Sequence, residues 1–253
     1  MRRFLLWLNF PFAWSIFLAV SAVNVVLGFV CQLFALPWDP QRRVALKLNH
    51  WIWGRSLFVA EPGWSSSYEG LEHVGEGPYV IVANHSSVLD VPTLMRLPTP
   101  MRVLAKRSLI RAPIMGWYMG FSGQIPIDMS DPNDVQATID RCVESLNQGI
   151  SVVIFPEGSR SEDGQIQTFR RGAFRLAKDT GVPILPVSIS GTHRIMQKGK
   201  FMPQSIVQHV RCRVLPPMSG EDYSTARKLS NRAHAAIASS LDELREPEAV
   251  TRA

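Results

Sequence analysis

Residues 79–90 read Tyr-Val-Ile-Val-Ala-Asn-His-Ser-Ser-Val-Leu-Asp, a short apolar run followed at once by a polar segment that contains His85 and Asp90. An uninterrupted apolar run of this length, bounded by turn-forming residues, predicts a strand buried on both faces of a sheet. The carboxyl end of such a strand is where α/β sheets place reactive side chains. If the fold is α/β, the segment therefore marks the position of the functional site.

Similar apolar runs recur along the chain and alternate with helix-like segments. We predict further strands at residues 103–105, 124–127, 152–155, 184–188 and 210–214. We predict helices at residues 132–147, 172–179 and 224–244. This alternation favours a single α/β domain with a largely parallel sheet flanked by helices, covering residues 77–245. A short flexible tail is expected at residues 246–253.

The N-terminal region has no charged residue from Phe4 to Trp38. Residues 12–36, if helical, would extend about 37 Å, which exceeds the roughly 30 Å of a bilayer's hydrocarbon core. Basic residues flank both ends of this stretch. We therefore predict a hydrophobic helical membrane segment at residues 1–38 and an amphipathic connector at residues 39–76. A spanning helix and a hairpin within one leaflet both fit, whereas the length of the apolar run disfavours a cleaved signal peptide.

The charge balance points to anionic partners. The chain has 27 Lys and Arg residues against 21 Asp and Glu residues, a net charge of +6. Because the basic residues are scattered and no nucleic-acid-binding motif is present, we expect a bilayer surface and phosphorylated ligands, and no nucleic acid. The three cysteines are far apart and fit reduced thiols in the cytoplasm. We therefore expect attachment to the inner (cytoplasmic) membrane, with the catalytic domain facing the cytoplasm.

His85 and Asp90 are suited to general base chemistry. A neutral imidazole accepts a proton from an attacking hydroxyl near pH 7. A carboxylate on its other ring nitrogen fixes the tautomer and stabilises the imidazolium that forms. Five positions apart across a turn into a helix, the two side chains are within reach of each other. A helix-capping or core role for His85 is the alternative interpretation.

A second polar cluster, Phe155-Pro156-Glu157-Gly158-Ser159-Arg160, follows another predicted strand and should lie at the same edge of the sheet. Gly158 permits close approach of a ligand to the backbone. Arg160 carries a planar donor group suited to phosphate, and Glu157 accepts hydrogen bonds from ligand hydroxyls or holds the arginine. A polar turn with a surface salt bridge is the alternative.

Together the clusters resemble the glycerolipid acyltransferase family. Its first motif, Asn-His-four residues-Asp, is matched by residues 84–90, and its third, Phe-Pro-Glu-Gly-Ser/Thr-Arg, by residues 155–160. Its fourth, apolar motif is matched by Val-Pro-Ile-Leu-Pro at residues 182–186. The order and spacing of the motifs agree over roughly residues 70–220, which is more specific than any one motif.

The second motif of the family is where this chain departs from the pattern. Residues 123–129 read Gly-Gln-Ile-Pro-Ile-Asp-Met, so Met129 occupies the position of the family's arginine, which is thought to help hold the acceptor's phosphate. The candidates to supply the missing charge are Arg160, Lys106, Arg107, Arg170 and Arg171, or each is a solvated surface cation.

The resemblance implies transfer of a fatty acyl group from a coenzyme A or acyl carrier protein thioester to the free hydroxyl of 1-acylglycerol-3-phosphate, giving phosphatidic acid without an acyl-enzyme. It implies His85 as general base and Asp90 as its orienting residue. It also implies an acceptor site formed by Glu157, Gly158, Ser159 and Arg160, with Lys106 and Arg170 as helpers. No metal and no cofactor beyond the thioester donor is expected.

Three alternatives stay open. One keeps the chemistry and changes the acceptor to another lysolipid, such as a lyso-ornithine lipid, and Met129 favours it. Another is a membrane-tethered lipid-binding protein without activity. The third, a secreted hydrolase, requires a cleaved N-terminus near Val23 and lacks a Gly-x-Ser-x-Gly motif in the sequence.

Overall fold

The computed structural model describes residues 43–61, 63–111, 115–200, 203–205 and 207–245, together with residues 15, 19, 22–23, 25–31, 33–34, 38–39 and 41. The described strands are β1 (Trp64–Glu69), β2 (Val80–Ala83), β3 (Met101–Lys106), β4 (Ile125–Ile127), β5 (Ser151–Ile154), β6 (Ile184–Ser190) and β7 (Gln208–Val214). The described helices are α1 (Arg43–Ala60), α2 (Asp90–Leu94), α3 (Met115–Ser122), α4 (Pro132–Asn147), α5 (Gly172–Thr180), α6 (Thr192–Ile195) and α7 (Ala226–Arg245). Short 3-10 helices lie at Leu71–His73 and Arg107–Arg111.

The seven strands form one sheet in the order β1-β7-β6-β2-β5-β3-β4. The five strands from β6 to β4 run parallel, whereas β7 pairs antiparallel with β6 and parallel with β1. The carboxyl ends of the five parallel strands therefore meet at one edge of the sheet. The predicted α/β fold with a largely parallel sheet is confirmed.

Strand β2 lies at the centre of the sheet, where both of its faces are covered, and this explains its uninterrupted apolar sequence. Its side chains point alternately to the two faces, and all four residues are buried. Ile81 and Ala83 belong to a core cluster with Trp53 of α1 and Leu94 of α2. The other face packs against residues of α4, α5 and α7. Each such buried aliphatic side chain contributes roughly 1.5–3 kcal/mol.

Most predicted elements lie within two residues of their observed bounds, but the connector differs from the expectation. Residues 64–69, expected in the connector, form the edge strand β1, which pairs with β7 from Trp64↔Gln208 to Glu69↔Arg213. The amphipathic stretch before it forms α1, whose first N–H groups, those of Arg43 and Val44, donate to the Asp39 carboxylate at 2.9 and 2.7 Å. The turn after His85 leads into the short helix α2, as expected, whereas the sequence did not predict the short helices α3 and α6.

The predicted membrane segment, residues 1–38, falls largely outside the described residues, as does the whole of the predicted tail. The described residues between 15 and 34 are all helical. Among the described residues, no helix combines the length and the apolar character needed to cross a membrane.

Candidate functional site

The segment that follows β2 is tied to the neighbouring strand β6 by Asn84. The Asn84 side-chain amide donates from Nδ2 to the carbonyl of Ile189 at 2.9 Å, and its Oδ1 accepts the N–H of the same residue at 2.8 Å. Asn84 is buried. This two-point contact satisfies backbone groups at the end of β6 and fixes where His85 leaves the sheet.

Asp90 begins α2, and its fully buried carboxylate is surrounded by donors. Oδ2 accepts the backbone N–H groups of Ser86 and Ser87, each at 2.8 Å, and lies 2.9 Å from His85 Nδ1. Oδ1 accepts the hydroxyl of Thr192 at 2.6 Å. The His85 and Asp90 side chains, five positions apart, thus meet, and the turn between them is closed by the same carboxylate.

The His85 ring is oriented on a second side by Phe155. The two rings stack with their centroids 3.9 Å apart and an angle of 18° between their planes. Because Nδ1 faces the Asp90 carboxylate, Nδ1 carries the proton and Nε2 has its lone pair free. The side chain is 17% exposed, and Nε2 makes no hydrogen bond to any described residue. This arrangement presents a base to a ligand at the carboxyl edge of the sheet.

The third motif is joined to the first through the His85 backbone. Glu157 Oε1 accepts the N–H of His85 at 2.8 Å, and Oε2 accepts the N–H of Gln167 at 3.3 Å. The His85 carbonyl accepts the N–H of Ser161 at 2.8 Å. Both Glu157 oxygens therefore accept hydrogen bonds from backbone N–H groups. Neither of these donors belongs to Arg160.

Glu157 is buried, and desolvation is the main reason that its pKa is raised from 4.5 to about 7. The two backbone donors lower the pKa, and the charges of Asp90 and Asp163 raise it. The carboxyl group thus sits in an environment that opposes its charge while its hydrogen bonds favour it. It links the loop that carries His85 to the loop that carries Arg160.

The predicted acceptor residues after Glu157 lie on the open side of this turn. Gly158 has φ of +77°, and a Cβ atom there would lie 2.8 Å from Arg170 Nε, so the guanidinium packs directly on the glycine backbone. Gly158, Ser159 and Arg170 are exposed and Arg160 is half-buried. Arg160 makes no hydrogen bond or ion pair with a described residue, and directly precedes Ser161, which contacts the His85 loop.

The remaining cations differ in their availability. Lys106 ends β3, two strands from β2 at the same edge, and is exposed. Arg107 forms an ion pair with Asp134, which also accepts the N–H of Asp128 at 2.6 Å. Met129 is 53% exposed and follows β4 at that edge. Arg107 is therefore engaged by a carboxylate, whereas Lys106 lies at the edge of the sheet where His85 and Asp90 meet.

Two residues that contribute to the site were not predicted from the sequence. Thr192, which donates to Asp90, lies 102 residues away in the sequence, and Gln167 contributes only a backbone N–H. No local pattern marks either residue, because their roles depend on the strand order. In the part of the chain that the structure describes, no three His, Cys, Asp or Glu side chains are grouped as metal ligands would be.

Comparison with known proteins agrees with this geometry. The profile of the family described as Acyltransferase matches residues 65–190. A chloroplastic 1-acyl-sn-glycerol-3-phosphate acyltransferase of Arabidopsis thaliana is 37% identical over 225 residues, 86% of this chain and 60% of the relative. A 1-acyl-sn-glycerol-3-phosphate acyltransferase of Pseudomonas aeruginosa is 30% identical over 236 residues, 90% of this chain and 89% of the relative.

The fold also occurs in a crystal structure of the 1-acyl-sn-glycerophosphate acyltransferase PlsC of Thermotoga maritima. The TM-score is 0.84 at 23% identity, covering 98% of this chain and 99% of that chain. The chain spans 60% of the Arabidopsis relative and 64% of a Brassica napus relative, so it is shorter than these plant proteins. Because the profile matches residues 65–190 and the Pseudomonas relative is 30% identical with 89% of its length covered, this chain belongs to the acyltransferase family.

Proposed function

We propose that this chain transfers a fatty acyl group from a thioester to the free hydroxyl of 1-acylglycerol-3-phosphate and so makes phosphatidic acid. The observation that carries the proposal is the contact of 2.9 Å between His85 Nδ1 and Asp90 Oδ2, which leaves Nε2 free at the edge of the sheet. The names of the Arabidopsis and Pseudomonas relatives support the choice of acceptor.

The reaction follows from this pair. His85 Nε2 accepts the proton of the acceptor hydroxyl while the hydroxyl oxygen attacks the thioester carbonyl carbon. Asp90 stabilises the imidazolium that forms. The tetrahedral intermediate then collapses, the C–S bond breaks, and the imidazolium returns its proton to the departing thiolate. The hydroxyl of the acceptor is the nucleophile, so no protein side chain is acylated.

We assign the acceptor's phosphate to Arg160, with Lys106 and Arg170 as helpers. Arg160 is half-buried, has no ion-pair partner among the described residues, and lies one residue from the contact between Ser161 and the His85 loop. An arginine binds phosphate through two parallel hydrogen bonds. The exposed turn at Gly158 and Ser159 leaves room for the glycerol backbone beside it.

We also propose that the protein is attached to the inner (cytoplasmic) membrane, with its catalytic domain in the cytoplasm. The described helical residues before α1 include several large apolar side chains that are 40–74% exposed, which is unfavourable in water. Placing them in a bilayer removes that apolar surface from water. They are Val23, Val26, Leu27, Phe29, Val30, Leu33 and Phe34.

The test is acyl transfer by the detergent-purified full chain from coenzyme A and acyl carrier protein thioesters to a panel of lysolipids. We expect lysophosphatidic acid to be acylated, His85→Ala to abolish turnover, and Arg160→Gln to raise KM for this acceptor more than for a lyso-ornithine lipid. Arg175→Gln, which changes an exposed arginine on α5, is the charge-matched control. Transfer only to phosphate-free acceptors would refute the proposed acceptor, and a fully active His85→Ala would refute the mechanism.

Membrane attachment is tested separately by fractionating cells that express the full chain. We expect the protein in the inner membrane fraction, resistant to extraction with high salt. A protease added to intact spheroplasts should leave the catalytic domain uncut. Recovery of the intact chain in the soluble fraction would refute the attachment without bearing on the chemistry.

A further inference from the structure

A cavity of about 370 Å³ lies between α1 and the segment that joins α2 to β3. Helix α1 contributes one face of the cavity, with residues spaced three or four apart, and the segment after α2 contributes the rest. Its lining residues are Lys47, His50, Trp51, Arg55, Met95, Arg96, Leu97, Pro98 and Thr99. The proposed chemistry makes no use of any of them.

The cavity lies away from the catalytic pair. His85 follows the carboxyl end of β2, whereas residues 97–99 precede the amino end of the parallel strand β3. Thr99 Oγ1 lies 3.2 Å from Ser151 Oγ, at the start of β5. The beginning of α1 lies at this same edge, because the Arg43 guanidinium packs on the turn residue Gly149 just before β5. The cavity is therefore near the sheet edge opposite the active site.

The lining of the cavity is basic. Lys47, Arg55 and Arg96 contribute three positive charges, and none of the nine lining residues is acidic. Lys47 is exposed and makes no hydrogen bond or ion pair with a described residue. The Arg55 guanidinium lies 4.3 Å from the centroid of the Trp51 ring. A cavity with this charge and no internal counter-charge attracts an anion.

His50 provides a buried polar group whose ring nitrogens have no hydrogen-bond partner among the described residues. It is 1% exposed. A buried polar group in this state is unfavourable, and a hydrogen bond to a ligand would offset that cost. Burial also lowers the pKa of His50 to about 4. The ring is therefore neutral near pH 7 and has one N–H to donate to an anion.

The outer surface of α1 beside the cavity is apolar. Val44, Leu48 and Trp51 are spaced at helical intervals and are 63%, 38% and 55% exposed. An apolar stripe next to lysine and arginine is the pattern of a helix that lies in the plane of a membrane surface. The cations of a helix at the membrane surface lie at the level of the lipid phosphates.

We propose that the cavity formed by Lys47, His50, Arg55 and Arg96 binds the phosphate headgroup of an anionic phospholipid of the bilayer. Arg96 is held in place for this role, because its guanidinium donates to Ser66 Oγ and lies 4.7 Å from the centroid of the Tyr68 ring. The proposal rests on the membrane attachment proposed above but not on acyl transfer. The bound lipid would fix the orientation of α1 on the membrane.

The experiment measures binding of dihexanoyl phosphatidylglycerol to the detergent-solubilised full chain by calorimetry. Dihexanoyl phosphatidylcholine and inorganic phosphate are the comparison ligands. All variants carry Arg160→Gln, so that the active site does not contribute phosphate binding. The test variant is Lys47→Gln/Arg55→Gln. Its charge-matched control, Arg175→Gln/Arg232→Gln, removes two exposed arginines on α5 and α7, which pack on the other face of the sheet.

We expect the test variant to bind phosphatidylglycerol about ten- to thirtyfold more weakly than its parent, since each of the two cations near a membrane anion contributes about three- to fivefold. The control should bind like the parent. His50→Phe, which replaces the unpartnered ring with an apolar one of similar size, should weaken binding several-fold without lowering Tm.

Equal affinity of the test variant and the control would overturn the proposal, as would equal binding of phosphatidylcholine and phosphatidylglycerol. Inorganic phosphate binding as tightly as phosphatidylglycerol would assign the cavity to a free anion and would also overturn it. Acyl transfer is measured separately on the corresponding proteins that keep Arg160. If the wild-type protein is inactive but still binds phosphatidylglycerol through Lys47 and Arg55, the proposed acyl transfer is refuted and the proposed lipid site is supported.

Discussion

Replacing Asp90 by Asn tests how the carboxylate acts on His85, because the structure allows the amide only one orientation. Oδ2 accepts two backbone N–H groups, those of Ser86 and Ser87, and the Nδ1–H of His85. An amide nitrogen placed there would face these donors and leave buried N–H groups unpaired, which costs roughly 2–6 kcal/mol. The amide oxygen therefore takes this place. The amide nitrogen then faces the Thr192 hydroxyl, which can rotate to accept.

The expected loss of activity follows from that orientation. His85 keeps its tautomer, so the variant loses only the negative charge that stabilises the imidazolium. Two unit charges about 4 Å apart interact by about 4 kcal/mol at an effective dielectric constant near 20. The change from a charged to a neutral hydrogen bond is about 1–2 kcal/mol. A loss of about 2–4 kcal/mol lowers kcat/KM about 30- to 1,000-fold. This is less than the roughly 10⁴-fold loss in kcat when such a substitution imposes the wrong tautomer in a protease triad.

The assay is kcat/KM for acyl transfer in mixed micelles, with folding checked by circular dichroism and Tm. Asp90→Asn should retain measurable activity and a Tm near that of the parent, whereas His85→Ala should be inactive. The orientation is tested by Thr192→Val, which removes the acceptor for the amide nitrogen, so the double variant should lose more activity than the two single losses combined. A folded Asp90→Asn as inactive as His85→Ala, or as active as the parent, would refute the reasoning.

Three further predictions concern the scaffold of the site. Asn84→Leu should lower the free energy of unfolding by about 2–4 kcal/mol, seen as a lower Tm, because two buried backbone groups at the end of β6 lose their partner; an unchanged Tm would contradict this role. Gly158→Ala should cost about 1–2 kcal/mol in backbone strain and displace Arg170, raising KM for lysophosphatidic acid several-fold. Gly181→Ala, with φ of +69° and, apart from its chain neighbours, no described residue within 4 Å of the added Cβ, supplies the same strain as a control. An equal KM in both variants would show that the position of Arg170 does not affect acceptor binding. Because the pKa of Glu157 is raised to about 7, its contribution to stability is greatest below pH 4.5 and falls by about 3 kcal/mol as the pH rises to 7. Tm measured from pH 5 to 8 should show this slope in the parent and lose it in Glu157→Gln, and parallel curves would contradict it.

The elements that the sequence predicted well are those whose local signals agree with their tertiary surroundings. Helix α4 occupies residues 132–147 as predicted, because Asp131 caps it by accepting the N–H of Asn133 at 2.9 Å and Pro132 suits its first turn. Strand β1 was not predicted, since Trp-Ser-Ser-Ser-Tyr-Glu has the composition of a loop. It is an edge strand, and its pairing partner lies about 144 residues away in the sequence.

In the site, too, contacts between residues close in the sequence were predicted, whereas contacts between distant residues were not. His85 and Asp90 were predicted to be within reach of each other because only five positions across a turn separate them. The partner of Glu157 was not predicted, because the sequence suggested ligand hydroxyls or an arginine, whereas the carboxyl group accepts backbone N–H groups of residues 85 and 167. Which strands are neighbours decides this contact. Only the sheet order places β5 beside β2.

The pairing of β2 with β5, from Val80↔Val152 to Val82↔Ile154, explains why the two motifs carry meaning together. A His-Asp pair alone leaves the backbone and one face of the imidazole unsupported. The residues after β5 supply both supports, since Phe155 stacks on the ring and Glu157 accepts the N–H of His85. A change in either motif is therefore expected to shift His85 relative to the proposed phosphate site. The proposed chemistry thus depends on both loops together, and for this reason the two motifs in their order were more specific than either motif alone.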